Sequence, residues 1–166
     1  MTRAWILMLV ACLGGAACNP THADQIDALG GEAPGVRTGP THRPGQPCLV
    51  CHDGAIGDPQ AFSVAGTVYE MAGGNAPARG ARVDLVDANG SAFTAITNEV
   101  GNFYISPSQW SPRFPMQTQI ESGSSPVVMQ TLISRDGSCA GCHVDPPSAS
   151  SAGRVVLTSE DGGTPL

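Results

Sequence analysis

Two pentapeptides of the same form, Cys48-Leu49-Val50-Cys51-His52 and Cys139-Ala140-Gly141-Cys142-His143, use every cysteine beyond the first 18 residues. Thiols three positions apart are spaced to add across the two vinyl groups of one porphyrin, and the next residue, a histidine, is then swung beneath the iron as its axial ligand. One such match is a weak signal in a chain with six cysteines. Two, each with its histidine, are a strong one. They imply redox chemistry on two covalently bound haem c groups, attached through Cys48, Cys51, Cys139 and Cys142, with His52 and His143 as the iron ligands.

Other uses of paired cysteines explain less. A disulfide framework suits an exported chain but gives no reason for a histidine after each pair. Zinc ribbons set their second pair about 15 to 20 residues after the first, whereas Cys51 and Cys139 lie 88 positions apart. A thioredoxin-like pair needs a βαβ setting, and Pro47 and the glycines around the first pair do not supply one.

The remaining axial position decides between a carrier and a catalyst. His42, six residues before Cys48, is close enough to fold over its own haem or reach the neighbouring one, and is expected to be a distal ligand. His22, four residues from Cys18, is expected to be exposed. Met71, Met116 and Met129 are the alternative thioether ligands, although methionine in a strand more often fills core. Asp53 and Asp145 follow the motif histidines closely and are placed either to orient them or simply to be solvated. No Ser-His-Asp grouping can be assembled from four histidines of which two are committed to iron, and no glycine-rich phosphate loop is present. The pattern therefore points to an electron carrier rather than an enzyme. A di-haem peroxidase-like enzyme and a structural or binding module with incidental haems are the alternatives.

Outside the two pentapeptides, the sequence patterning is that of short strands and turns. Aromatics make up 5% and charged residues 13%, against 21 glycines and 14 prolines, a balance that favours strands joined by turns. Strand-period segments run over 62–69, 81–87, 91–97, 102–105, 116–121, 127–133 and 153–158. Turn chemistry separates them: Asp87-Ala88-Asn89-Gly90 reads as a hairpin, residues 98–101 as a longer turn. If successive strands alternate in direction, the first and seventh run the same way, and the two pentapeptides, which precede those strands, fall at the same end. Gly66 is expected to admit close backbone approach, and Gly101 a left-handed turn before Phe103 enters the core.

The segments "VAGTVYE", "GARVDLVDANG" and "TAITNEVGNFYI" resemble the carboxypeptidase-regulatory-like, or transthyretin-like, sandwich family over about a quarter of the chain. That resemblance implies a small structural sandwich and little about chemistry. The pentapeptides alone resemble c-type cytochromes. The expected fold is all-β, a seven-stranded transthyretin-like β-sandwich with two haem-binding coil segments. Residues 48–158 form the domain, 19–47 a Pro- and Gly-rich spacer without regular structure, and 159–166 a flexible tail.

Residues 1–18 read as an export signal: Arg3, then the apolar run Trp5 to Val10, then small residues up to Cys18. Gly15-Ala16-Ala17-Cys18 resembles a bacterial lipoprotein cleavage box, which makes Cys18 the expected lipidation site; cutting at Cys12 would leave an apolar core of only about six residues, short for a signal. The expected location is the periplasm or cell surface, held to a membrane by a lipid anchor, with other redox proteins of the cell envelope as partners. Lysine is absent, all eight cations are arginines and the net charge is -6, so there is no basic patch to hold nucleic acid.

Overall fold

In the computed structural model, which describes residues 20–54, 60–123 and 126–158, the chain is mostly β, with seven strands in two sheets and one α-helix. The signal segment, Cys12, Cys18 and the 159–166 tail lie outside the described residues. The strands are β1 (Val64–Met71), β2 (Arg82–Val86), β3 (Ala92–Ile96), β4 (Asn102–Ile105), β5 (Gln117–Glu121), β6 (Pro126–Val128) and β7 (Val155–Thr158). All seven fall within or beside the segments that alternation marked. β6 stops at Val128, and its expected continuation is marked by the Met129 N–H donating to the Thr118 carbonyl and by the bridge of Ile133 to Met116.

One sheet has the order β4-β1-β7 and the other β3-β2-β5-β6. The second is a run of antiparallel neighbours, its β2–β3 pairing set by the turn at Asp87–Ser91, where Asp87 Oδ1 accepts the backbone N–H groups of Asn89 and Ser91. Apolar side chains of both sheets form one cluster: Val64, Val68, Phe103 and Ile105 from the first meet Val83, Leu85, Ala95 and Ile120 from the second. Gly101 adopts φ 80, and an added Cβ would lie 2.3 Å from the Val68 carbonyl oxygen, so Phe103 enters the core from a turn only glycine can make.

In β1, Val64 through Tyr69 are all buried, because both faces of this strand are covered. It pairs antiparallel with β4 and parallel with β7, with Val68 opposite Val155. The direction expected of the first and seventh strands is therefore found, and the two are immediate neighbours. Each strand begins twelve residues after its motif histidine, Val64 after His52 and Val155 after His143. The register offsets those equivalent starts by four residues, about 13 Å at the usual rise per strand residue.

The 19–47 segment departs from its expected lack of structure. Residues Pro20–Ala28 form a helix, α1, and residues 40–45 are clipped to β1 and β4 by polar side chains. Asn98 Nδ2 donates to the Pro40 carbonyl at 2.7 Å, Asn102 Nδ2 to the His42 carbonyl at 3.0 Å, and the Gly45 N–H donates to Thr67 Oγ1 at 2.8 Å. Proline and glycine set the turns of this segment, and hydrogen bonds from the sheet rather than apolar burial fix it. Hydrophobic periodicity carries no trace of that. Among the described residues no helix is long and apolar enough to cross a membrane.

Candidate functional site

Both pentapeptides fold into the same one-turn 3₁₀ segment, Cys48–Val50 and Cys139–Gly141. The N–H of the second cysteine donates to the carbonyl of the first, at 3.1 Å in one and 3.2 Å in the other, and the histidine N–H donates to that same carbonyl at 3.0 and 2.9 Å. The residue before each turn, Pro47 or Ser138, is extended. These bonds span three or four residues, so the turn is a local property of the sequence and sets two thiols and an imidazole on a single coil.

The histidines are oriented in the same way. His52 Nδ1 lies 3.0 Å from the Gln60 carbonyl oxygen, and His143 Nδ1 lies 2.9 Å from that of Gly153. A carbonyl only accepts, so each neutral ring carries its proton on Nδ1 and its lone pair on Nε2. That is the arrangement in which a metal-bound imidazole is steered by an outer hydrogen bond. Asp53 and Asp145 do not provide it: Asp53 Oδ2 is 3.7 Å from His22 Nδ1, and Asp145 Oδ2 is 3.2 Å from Arg154.

At the first motif, His42 comes back over the coil from the clipped 40–45 segment. Its ring centroid is 6.0 Å from that of His52, at an interplanar angle of 60°. Two imidazole nitrogens each about 2.0 Å from one metal, the usual bond length in histidine sites, set ring centroids roughly 6 Å apart. The surrounding cavity measures about 760 Å³ and is lined by His42, Cys48, Cys51, His52, Phe62, Phe103 and Tyr104, within the range of roughly 300 to 1,000 Å³ for small-molecule and cofactor sites. Phe62 lies 4.5 Å from the His52 ring and 5.0 Å from that of Tyr104, centroid to centroid. Apolar walls, two thiols and two neighbouring imidazoles are the lining that a haem would need here.

The second motif fits in ligand and thiols but not in enclosure. Its cavity is about 170 Å³, lined by Tyr69, Cys139, His143, Asp145 and Arg154 among others, and Cys142 is exposed. A porphyrin attached there has to lie partly in solvent. Arg154 organises this side, with its guanidinium over the Tyr69 ring at 4.6 Å and Nη1 donating to the Gly74 carbonyl at 2.8 Å.

None of the alternative axial ligands lines either cavity. Met116 is 1% exposed in the core, and Met71 is largely exposed at the end of β1. The Met129 carbonyl is taken by Gln117. His22 sits on α1 beside Asp53.

All four cysteines in the described residues are free thiols. Burial pushes the Cys48 thiol above the ordinary thiol range, and pushes Cys139 up to about 12, with Cys48 and Asp136 adding to the effect. A dithiol redox pair needs the opposite shift, toward the thiolate. Among the described residues no group of three or more His, Cys, Asp or Glu side chains is gathered as a metal-binding cluster.

Two glycines seat the second motif on β1. An added Cβ at Gly66 would lie 2.7 Å from Cys139 Cβ, so the expected close approach is that of the motif's first cysteine. An added Cβ at Gly137 would lie 2.1 Å from the Ser63 carbonyl oxygen and 2.7 Å from Val64 Cα, both backbone atoms that cannot step aside. The Gly137 carbonyl accepts the Ala65 N–H at 3.0 Å. Gly137→Ala is therefore expected to cost about 3 kcal/mol, the upper part of the usual overpacking range, and to lower the melting temperature by roughly 10 °C. Thermal unfolding followed by far-UV circular dichroism checks this, and a shift under 2 °C would show that the segment does not lie against β1.

Gln60, Gly153, Glu32 and Asn102 escaped the sequence reading. The first two act through backbone carbonyls, which leave no residue-type signal, and Glu32 and Asn102 meet the 40–45 segment only through the tertiary fold. Comparison with known families, characterised proteins and solved structures finds no match to this chain.

Proposed function

We propose that the chain is an exported c-type cytochrome that binds two covalent haem c groups and passes single electrons between redox proteins of the cell envelope. The fold is read as a transthyretin-like β-sandwich with two haem-bearing coil segments, and the shared cluster of the two sheets supports that reading. The observation that carries the function is the repetition of one arrangement at both pentapeptides: the same turn, and the same Nδ1-to-carbonyl bond fixing the histidine.

When bound, haem supplies a reversible one-electron couple whose potential follows its axial ligands and burial. The chain's part is to hold and orient it. His52 and His143 would hold the irons through Nε2, and His42 would supply a second imidazole to the first. Phe62 and Tyr104 form an aromatic wall of the first site, while Cys142, exposed at the second motif, would offer a surface for a redox partner. With His42 and His52 both held by the iron, the metal would have no open position for a substrate, which favours transfer over peroxidase-like catalysis.

Expression with a cytochrome maturation system is expected to give two covalent haems per chain, counted from the reduced visible spectrum, and two one-electron waves in a redox titration. Protein that carries zinc and no haem sinks the reading. A high-spin iron that responds to peroxide moves it to the enzyme.

Cys18 is read as the lipid-bearing residue and Cys12 as part of the removed signal. Cys18→Ser is expected to move the protein from the membrane to the soluble fraction with an unchanged haem spectrum, since each buried CH₂ of an acyl chain contributes about 0.8 kcal/mol to membrane binding. Cys12→Ser should leave the distribution as it was, and the reverse pattern shifts the anchor to Cys12.

A further inference from the structure

The three motif-associated histidines differ in what their Nδ1 atoms meet. For His52 and His143 the partner is a neutral carbonyl. For His42 it is a carboxylate, Glu32 Oε1, at 3.0 Å. The same oxygen accepts Arg43 Nε at 3.0 Å, and Arg43 also donates to Gln46 and to the Gly30 carbonyl, which pins the carboxylate from the far side. Arg43 takes a left-handed backbone, φ 48, to do so, a conformation that a side chain of this size seldom adopts. Glu32 Oε2 is buried with no hydrogen-bond partner. Buried carboxylate oxygens are normally satisfied; here Oε2 has no partner of its own while Oε1 serves both His42 and Arg43. The arrangement rests on two coil residues ten positions apart, whereas at His143 the partner is the neutral Gly153 carbonyl.

We propose that Glu32 is a positioning residue that gives the distal imidazole of the first haem a charged hydrogen-bond acceptor and so makes that haem the low-potential member of the pair. The inference rests on the reading of His42 as an iron ligand. An ionised carboxylate on Nδ1 makes the imidazole a stronger donor at Nε2 and favours the ferric state, which carries one more positive charge than the ferrous. With a neutral carbonyl behind His143, the charged acceptor distinguishes the first site from the second. Electrons entering there are driven toward the second, more exposed motif.

The test is a redox titration of the full two-haem protein, with the waves assigned by the Cys139→Ala/Cys142→Ala variant, which retains the first haem only. Glu32→Gln keeps the shape and the acceptor oxygen but removes the charge. It should shift the first haem's reduction equilibrium about tenfold toward the ferrous state, roughly 59 mV for one electron, with the second wave nearly in place and a low-spin spectrum retained. Glu32→Asp, which keeps the charge, should return the wave most of the way to the parent's. Arg43→Gln, which uncovers the carboxylate, should move the same wave the opposite way. A merely structural clasp would instead move Glu32→Gln and Arg43→Gln together, with partial loss of the low-spin signal, and would overturn the proposal. So would an unmoved first wave in Glu32→Gln while His42→Ala opens the iron, an outcome that leaves the ligand reading intact. If His42→Ala changes neither spectrum nor wave, the ligand reading itself fails, and the role of Glu32 with it.

Discussion

Changing Cys139 and Cys142 together to alanine is expected to lower the covalent haem content from two per chain to one, halve the reduced visible absorbance and remove one of the two redox waves. The loss should be local. The first motif is held by its own partners, with the Phe62 N–H donating to the His52 carbonyl at 2.9 Å and Asn102 holding the His42 loop, and none of these bonds passes through the second. Alanine is smaller than cysteine at both positions, so Cys139 beside Gly66 leaves a small gap rather than a clash. Cys48→Ala/Cys51→Ala should give the complementary result and remove the six-coordinate signal. Single changes separate the members of a pair: Cys142→Ala, at the exposed thiol, should leave a haem joined through Cys139 alone, with its absorption moved to longer wavelength by the vinyl group left conjugated. The measurement is a haem count and spectrum on matured protein, and an unchanged count in either double variant would remove that pentapeptide from the haem-binding set.

Replacing His42 by alanine is expected to increase carbon monoxide binding by one equivalent per chain and to turn one haem from low-spin to high-spin. The expectation comes from the 6.0 Å separation of the His42 and His52 rings across the larger cavity, which no methionine lines. His42→Met tests the ligand rather than the space it fills. A thioether in place of the imidazole should keep the iron closed and raise one potential, because thioether ligation goes with higher potentials than histidine. If both variants behave as the parent does, His42 is a loop residue bound to Glu32, and the first iron takes its distal ligand from elsewhere.

Several features were legible in the sequence because the interactions that make them are short-range. The Cys-x-x-Cys-His turn closes through bonds of three and four residues, and it appears at both places where the pentapeptide occurs. The seven strands fall on or beside the segments that alternation marked, although β1 is buried on both faces, and the Asp87 turn carries its own side-chain bonds. Gly66 and Gly101 stood out as positions where a side chain would be refused. The identity of the attached group, as proposed, rests wholly on residue type and spacing, which is why it needed no fold.

What only the tertiary structure decided is how those local pieces are set against one another. Strand parity gave the common direction of β1 and β7, but their adjacency and four-residue stagger come from which edges of β1 remained for Gly137 and β7 to pair with. The 19–47 segment reads as a spacer because its composition offers no apolar face; the folded sheet orders it with side-chain donors from Asn98 and Asn102. Glu32 has no signature at all in the chain. Its position behind His42 depends on Arg43 reaching back across the loop, and its carboxyl is held below the usual carboxylate range first by the Arg43 hydrogen bond, against the opposing effect of burial, with His42 adding to the lowering. Sequence patterning records where apolar groups recur, whereas hydrogen bonds between distant polar groups recur with no period, and the second kind of contact is what distinguishes the surroundings of the two pentapeptides.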